Sequence, residues 1–151
     1  MAHRVHTYEG QQIDVTYDAG RCIHAGECVA RLRQVFDTQK KPWIQPDNGL
    51  DDGIAATINH CPSGALLDTR KEGGEAEPIP DHNTIQLEAD GPLYVKGDIT
   101  IINGDEQLIL NDTRVALCRC GVSENKPFCD DSHFRIKFEA SGSVLEPQTE
   151  I

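Results

Sequence analysis

Six cysteines fall in two triplets, with Cys22, Cys28 and Cys61 in the first half of the chain and Cys118, Cys120 and Cys129 in the second. Three disulfides are one use for six thiols. Met1 to Gly10, however, carries His3, Arg4, His6 and Glu9 and has no apolar stretch or small-residue cleavage site, so no signal peptide is expected. The expectation is therefore a cytoplasmic protein whose thiols stay reduced and serve two metal or cluster sites. No apolar run approaches the length of a membrane helix. A formal net charge of −11 repels phosphates and anionic lipid, so neither nucleic acid nor a membrane surface is an expected partner. The same acidity would steer docking onto a basic redox partner.

The 151 residues can bury one sizeable core or two small ones. The stretch Thr69 to Thr84, TRKEGGEAEPIPDHNT, is rich in Gly, Pro and charge and reads as a linker. The chain thus divides into residues 1–68, a linker at 69–84, residues 85–145 and a tail at 146–151. In the first part, alternating Ile13, Val15 and Tyr17 predict a strand ended by Asp18-Ala19-Gly20. Ala25, Cys28, Val29, Leu32, Val35 and Phe36 recur at three- and four-residue intervals and predict a helix reaching Phe36. Trp43 and Ile44 form a short extended piece. Leu50, Ile54 and Ile58 predict a second helix from about Leu50 to Asn59, stopping before Cys61-Pro62, and Ala65 to Leu67 return as a strand. This order suggests a small α+β sandwich. In the second part the pairs Ile85/Leu87, Leu93/Val95, Ile99/Ile101 and Leu108/Leu110 read as short strands, giving a mostly β unit.

The second triplet lies in CRCGVSENKPFCDDSH, residues 118–133. Residues two apart on an extended chain point to one side, so Cys118 and Cys120 can offer both thiolates to one metal, their Cα atoms roughly 6 to 7 Å apart. Gly121 and Pro127 let the loop turn back. If a short helix starts after Cys129, His133 lies one turn beyond it on the same face. Asp130 is placed to cap that helix through the N–H of Ser132 or His133. Spacing leaves two occupants open. A Cys3His zinc tetrahedron is a known structural set, although zinc pairs favour two to four residues between cysteines, and the single residue between Cys118 and Cys120 suits a cluster edge better.

This segment closely resembles the CDGSH iron-sulfur family, whose pattern is C-x-C-x2-S/T-x3-P-x-C-D-G-S/A-H. The resemblance implies that Cys118, Cys120, Cys129 and His133 are the ligands of a [2Fe-2S] cluster, with Ser123, Pro127, Asp130 and Ser132 on the family's other recurring positions. It also implies a β-rich cap over residues 85–110, since such proteins often pair two such motifs or form a homodimer through a cap of this kind. Asp131 departs from the pattern, standing where the family has Gly; if that position needs a positive φ, Asp is among the residues that tolerate it. Lys126 and Arg119 flank the cysteines, where a cation could stabilise a reduced cluster.

In the first part, Cys22-Ile23-His24-Ala25-Gly26-Glu27-Cys28 and Cys61-Pro62 resemble a ferredoxin's cysteine elements with the middle cysteine missing and Ala25 in its place. Over residues 17–67 the chain is similar to the divergent single-cluster ferredoxin domain that often precedes a CDGSH motif. Three thiolates suit a [3Fe-4S] cluster, or a [4Fe-4S] cluster with a non-cysteine ligand for which His24 and His60 are the nearby candidates. Buried free thiols are the alternative for Cys28 and Cys61.

No residue set looks like a nucleophile with its base, and no Gly-rich phosphate loop follows a strand. The chain is expected to carry electrons rather than turn over a substrate. The alternatives are a cluster donor to an apo-acceptor or a redox and pH sensor working through His133, and, third, a structural zinc module.

Overall fold

The computed structural model describes residues 4–144. The tail expected at 146–151 and the last residue of the 85–145 unit lie outside the described residues. The chain is α+β, with two antiparallel three-stranded sheets and short helices. The first sheet contains β1 (Val5–Tyr8), β2 (Ile13–Asp18) and β3 (Leu66–Arg70) in that order, and the second contains β4 (Thr84–Leu87), β5 (Leu93–Ile102) and β6 (Leu108–Leu117). Between β2 and β3 lie α1 (Glu27–Arg31) and α2 (Asp51–Ile58); α3 (Ser132–Arg135) follows the second sheet. None of these helices is long and apolar enough to cross a membrane.

The alternation of Ile13 and Val15 puts both side chains on the inner face of β2, where they meet Ile54, Ala55 and Ile58 of α2 and Leu66 of β3. Full burial of each such aliphatic side chain contributes about 1.5–3 kcal/mol. The first helix is shorter than the apolar spacing predicts. It ends at Arg31, and Leu32 leaves helical backbone at φ −143° and ψ 67°. Val35 and Phe36 still enter the core, but from a turn, with Phe36 bridging Ile44 as an isolated strand pair. Phe36 lies 6.2 Å from the Trp43 ring, centroid to centroid, so aromatic packing prevails over helix continuation. The β1 strand escaped the sequence reading because it is a mostly exposed edge strand with no apolar alternation.

In the second sheet, Leu93/Val95 and Ile99/Ile101 belong to one strand rather than two, its register shifting between Lys96 and Ile99. Leu117 then bridges Phe128, folding the cysteine loop back against the end of β6.

A polar seam joins the halves. The Arg21 guanidinium donates to the carbonyls of Ser63 and Arg114 at 2.9 Å each and pairs with Asp112 at 2.9 Å. Both of these side chains are less than a tenth exposed. Arg114 donates to the carbonyls of Ile58, Cys61 and Leu66 and grips Glu77 with two hydrogen bonds of 2.7 and 3.0 Å. Glu77, from the stretch between β3 and β4, is thus drawn into the seam. Gly64 sits here at φ +70°, and a Cβ there would overlap the Arg114 carbonyl and the Arg21 guanidinium.

Candidate metal centres

The residues of the 118–133 motif come together as two pairs. Cys118 Sγ and Cys120 Sγ are 3.7 Å apart, and Cys129 Sγ and His133 Nδ1 are 3.6 Å apart. Two thiolates held about 2.3 Å from one tetrahedral ion would lie about 3.8 Å apart, and a thiolate and an imidazole about 3.6 Å apart. Each pair therefore has the spacing of two ligands on one ion. The four donors do not converge on a single point, however. Among the described residues, only Cys129, Asp131 and His133 have ligand atoms all within 4.8 Å of one another. The four motif ligands line one narrow crevice together with Gly91, Pro92 and Ser132.

The supporting residues hold this loop in shape. The Ser123 hydroxyl donates to the Phe128 carbonyl at 2.6 Å and accepts the Asn125 N–H. Asp130 accepts the N–H groups of Ser132 at 3.0 Å and Glu124 at 2.9 Å, so it ties the start of α3 to the far side of the loop. Partial burial pushes the Asp130 carboxyl up, but these hydrogen bonds outweigh it and hold it below the usual carboxylate range. Lys126 turns its Nζ to the Ser123 carbonyl at 3.0 Å, closing the turn. Arg119 is occupied elsewhere, donating to the carbonyls of Gly91, Glu88 and Ala140 and lying 5.3 Å from the Phe138 ring centroid.

The thiols are not equivalent. Burial pushes Cys129 up to about 11, reinforced by the charges of Asp131 and Asp130. Burial acts in the same direction on Cys118, but the N–H groups of Ser123 and Gly121, with Cys120 and Lys126, prevail and hold it below the ordinary thiol range.

The first triplet also comes together. Cys22, Cys28 and Cys61 line a single cavity of about 650 Å³, walled by Tyr17, Trp43 and Pro62. Cys28 sits in the second position of α1, and Cys61 follows the end of α2. The His24 N–H donates to Cys22 Sγ at 3.4 Å, and Cys61 Sγ lies 3.6 Å from the Ser63 hydroxyl. Burial pushes the Cys28 thiol up, and charge on Cys61 and Cys22 adds to this. Three thiols crowded in one cavity fit a cationic iron centre, which removes the repulsion that three bare thiolates would suffer. Of the two histidine candidates, His60 donates from Nδ1 to the Ala56 carbonyl at 2.8 Å. His24 borders the cavity but directs Nδ1 to Asp131 Oδ2 at 3.0 Å, its side chain 79% exposed.

Residues 8–71 match the family described as divergent 4Fe-4S mono-cluster, and residues 90–134 match that described as iron-binding zinc finger CDGSH type. A protein named Uncharacterized protein YjdI from Escherichia coli (strain K12) is 41% identical over 59 residues, which is 39% of this chain and 78% of the relative. Its namesake in Escherichia coli O157:H7 matches equally. The chain belongs to the divergent 4Fe-4S mono-cluster family and carries a CDGSH domain after it. It is an iron-sulfur cluster protein, and each of its two cysteine triplets falls inside one of the two matched segments.

Several residues around the CDGSH loop were not legible as participants. Asp131 stood out in the sequence only as a departure from the family pattern, yet it adopts φ +67° and its side chain reaches the mono-cluster domain. Asn125 donates to the Gly20 carbonyl at 2.7 Å, and Ile23 is buried in one cluster with Ala116 and Cys129. These contacts depend on how the halves pack, and no local sequence signal encodes that packing.

Proposed function

We propose that this protein is a one-electron carrier with two iron-sulfur centres and no substrate-turnover activity of its own. In this reading Cys118, Cys120, Cys129 and His133 hold a [2Fe-2S] cluster, and Cys22, Cys28 and Cys61 hold a [3Fe-4S] or [4Fe-4S] cluster. The carrying observation is the separation of the motif ligands into two pairs, each spaced for one tetrahedral ion and not gathered about a common point. A single zinc ion needs all four donors on one tetrahedron, whereas a two-iron cluster takes one pair on each iron. When bound, the clusters supply reversible one-electron chemistry. The protein's own part is to fix the ligands through Ser123, Asp130 and Lys126, to limit water around Cys129 and His133, and to offer an acidic surface to a basic redox partner.

Transfer of the cluster to an apo-acceptor is the second reading, favoured by one observation. His133 lines an open groove of about 610 Å³ beside exposed Phe134, so an acceptor's thiols have a route to that end of the site. A visible spectrum of anaerobically purified protein with iron and sulfide counts is the deciding experiment. Brown protein with sulfide-to-iron charge-transfer bands is expected, and colourless protein holding zinc overturns the proposal. Incubation with an apo-ferredoxin separates the two readings: a carrier keeps its iron and a donor loses it.

A further inference from the structure

The two ligand loops touch. His24 lies between Cys22 and Cys28, Asp131 lies between Cys129 and His133, and their side chains pair at 3.0 Å. Each adopts a left-handed backbone, φ +56° at His24 and +67° at Asp131. Ile23, bonded directly to Cys22, is buried with Cys129 and Ala116, and Tyr94 packs against them. Arg21, on the other side of Cys22, lies over the ring of Phe128 at 5.6 Å, and Phe128 is bonded directly to Cys129. Consecutive Cα atoms are about 3.8 Å apart and packed apolar atoms approach to about 4.5 Å. The path from Cys22 to Cys129 therefore crosses a single layer of side chains. A surface groove lined by Ile23, His24, Asp131 and His133 follows the same line of contact.

We propose that the two sites form one electronically coupled unit, in which an electron passes between them across the Ile23 layer inside a single molecule. This rests on the two-cluster reading above. The step is a plain one-electron exchange: iron at one site loses an electron, iron at the other gains it, and no bond breaks and no proton moves. The electron is supplied from outside by a low-potential one-electron reductant and leaves to the redox partner. The contact between loops makes Ile23, His24 and Asp131 positioning residues for this exchange.

The test uses full-length protein and two readouts other than activity. A Cys22→Ser/Cys61→Ser variant and a Cys118→Ser/Cys129→Ser variant first report, by iron and sulfide counts, whether each site loads alone. Failure of either to hold its remaining cluster overturns the two-cluster reading itself, and the coupling with it. With both sites loaded and both reduced, the microwave power that half-saturates the EPR signal of the CDGSH site is expected to be at least tenfold higher in the wild type than in Cys22→Ser/Cys61→Ser. Equal values overturn the proposal. Freeze-quench EPR after mixing with half an equivalent of dithionite follows the redistribution of electrons. A rate unchanged over a tenfold dilution of protein supports exchange within one molecule, and a rate falling in proportion to dilution overturns it.

Discussion

His24 and Asp131, 107 residues apart, meet at 3.0 Å, and the aspartate is the residue at which the loop departs from the CDGSH pattern. At φ +67° a glycine would be free of strain, whereas aspartate is among the few other residues that tolerate the conformation. Asp131→Gly removes a hydrogen bond to a largely exposed histidine, worth about 0–1 kcal/mol, and relieves a left-handed backbone of about 1–2 kcal/mol. Glycine's freer unfolded chain takes back about 0.4–1 kcal/mol, so stability should stay within about 1.5 kcal/mol of wild type in urea unfolding of metal-free protein followed by Trp43 fluorescence. Asp131→Val places a β-branched residue at the same φ and should cost about 1–3 kcal/mol. Equal stability of the two variants would refute this account of the position.

The Arg21–Asp112 pair is expected to be the most sensitive point of the seam. Asp112→Ala leaves a buried guanidinium short of its counter-charge, and the loss should be about 3–5 kcal/mol. Asp112→Asn keeps an acceptor oxygen at the same place and should cost about 1–2 kcal/mol. Gly64→Ala strikes the same seam sterically and should destabilise the fold without altering any charge. Urea midpoints of the three variants provide the comparison.

The ranking of these variants could not have been read from the sequence. Local chemistry was legible: the alternation of Ile13, Val15 and Tyr17 gave β2, the spacing of Leu50, Ile54 and Ile58 gave α2, and Asp130 does receive the Ser132 N–H. Cys118 does pair with Cys120 and Cys129 with His133, but through a bend after β6 and the left-handed Asp131 ahead of α3 rather than through an extended segment and one helical turn. The end of α1 was not legible, since Val35 and Phe36 have the same three-to-four spacing whether they lie on a helix or turn inward beneath Trp43. Arg21 and Arg114 carried no local signal, because their partners, the Asp112 and Glu77 carboxylates and carbonyls such as Cys61's, are brought to them only by tertiary packing. Arg119 beside the cysteines invited an electrostatic role, but three carbonyl acceptors and Phe138 occupy it.

Metal-free protein should show a strong order of thiol reactivity within the CDGSH loop. The thiolate is the nucleophile, and with its pKa near 11 Cys129 is only about one part in ten thousand thiolate at pH 7 and is buried as well. Cys118, held below the ordinary thiol range and more exposed, ionises first as pH rises. Brief iodoacetamide labelling at pH 7 followed by peptide mass spectrometry should find Cys118 modified at least about tenfold faster than Cys129. Raising the pH to 9 should narrow the gap, because Cys129 gains thiolate about tenfold per pH unit below its pKa while Cys118, which ionises at lower pH, gains less. Labelling of Cys129 first would show that the loop opens when metal is absent.

His133→Cys probes the ligand that separates this site from an all-thiolate one. The His133 ring is buried at the start of α3, with Nδ1 facing Cys129 Sγ, and a cysteine at this position brings its sulfur to the same side of the helix. The exchange adds one negative charge to the ligand set and so favours the oxidised state. The midpoint potential of the CDGSH site should fall by on the order of 100 mV, read by redox titration of its visible bands. Thiolate is also less readily displaced by protons than imidazole near neutral pH, so the variant's bands should fade more slowly than the wild type's when both are held at pH 6. A variant that keeps its bands with an unchanged potential would remove His133 from the ligand set and leave Asp131, whose carboxylate lies within 4.8 Å of the same pair, as the residue to test next.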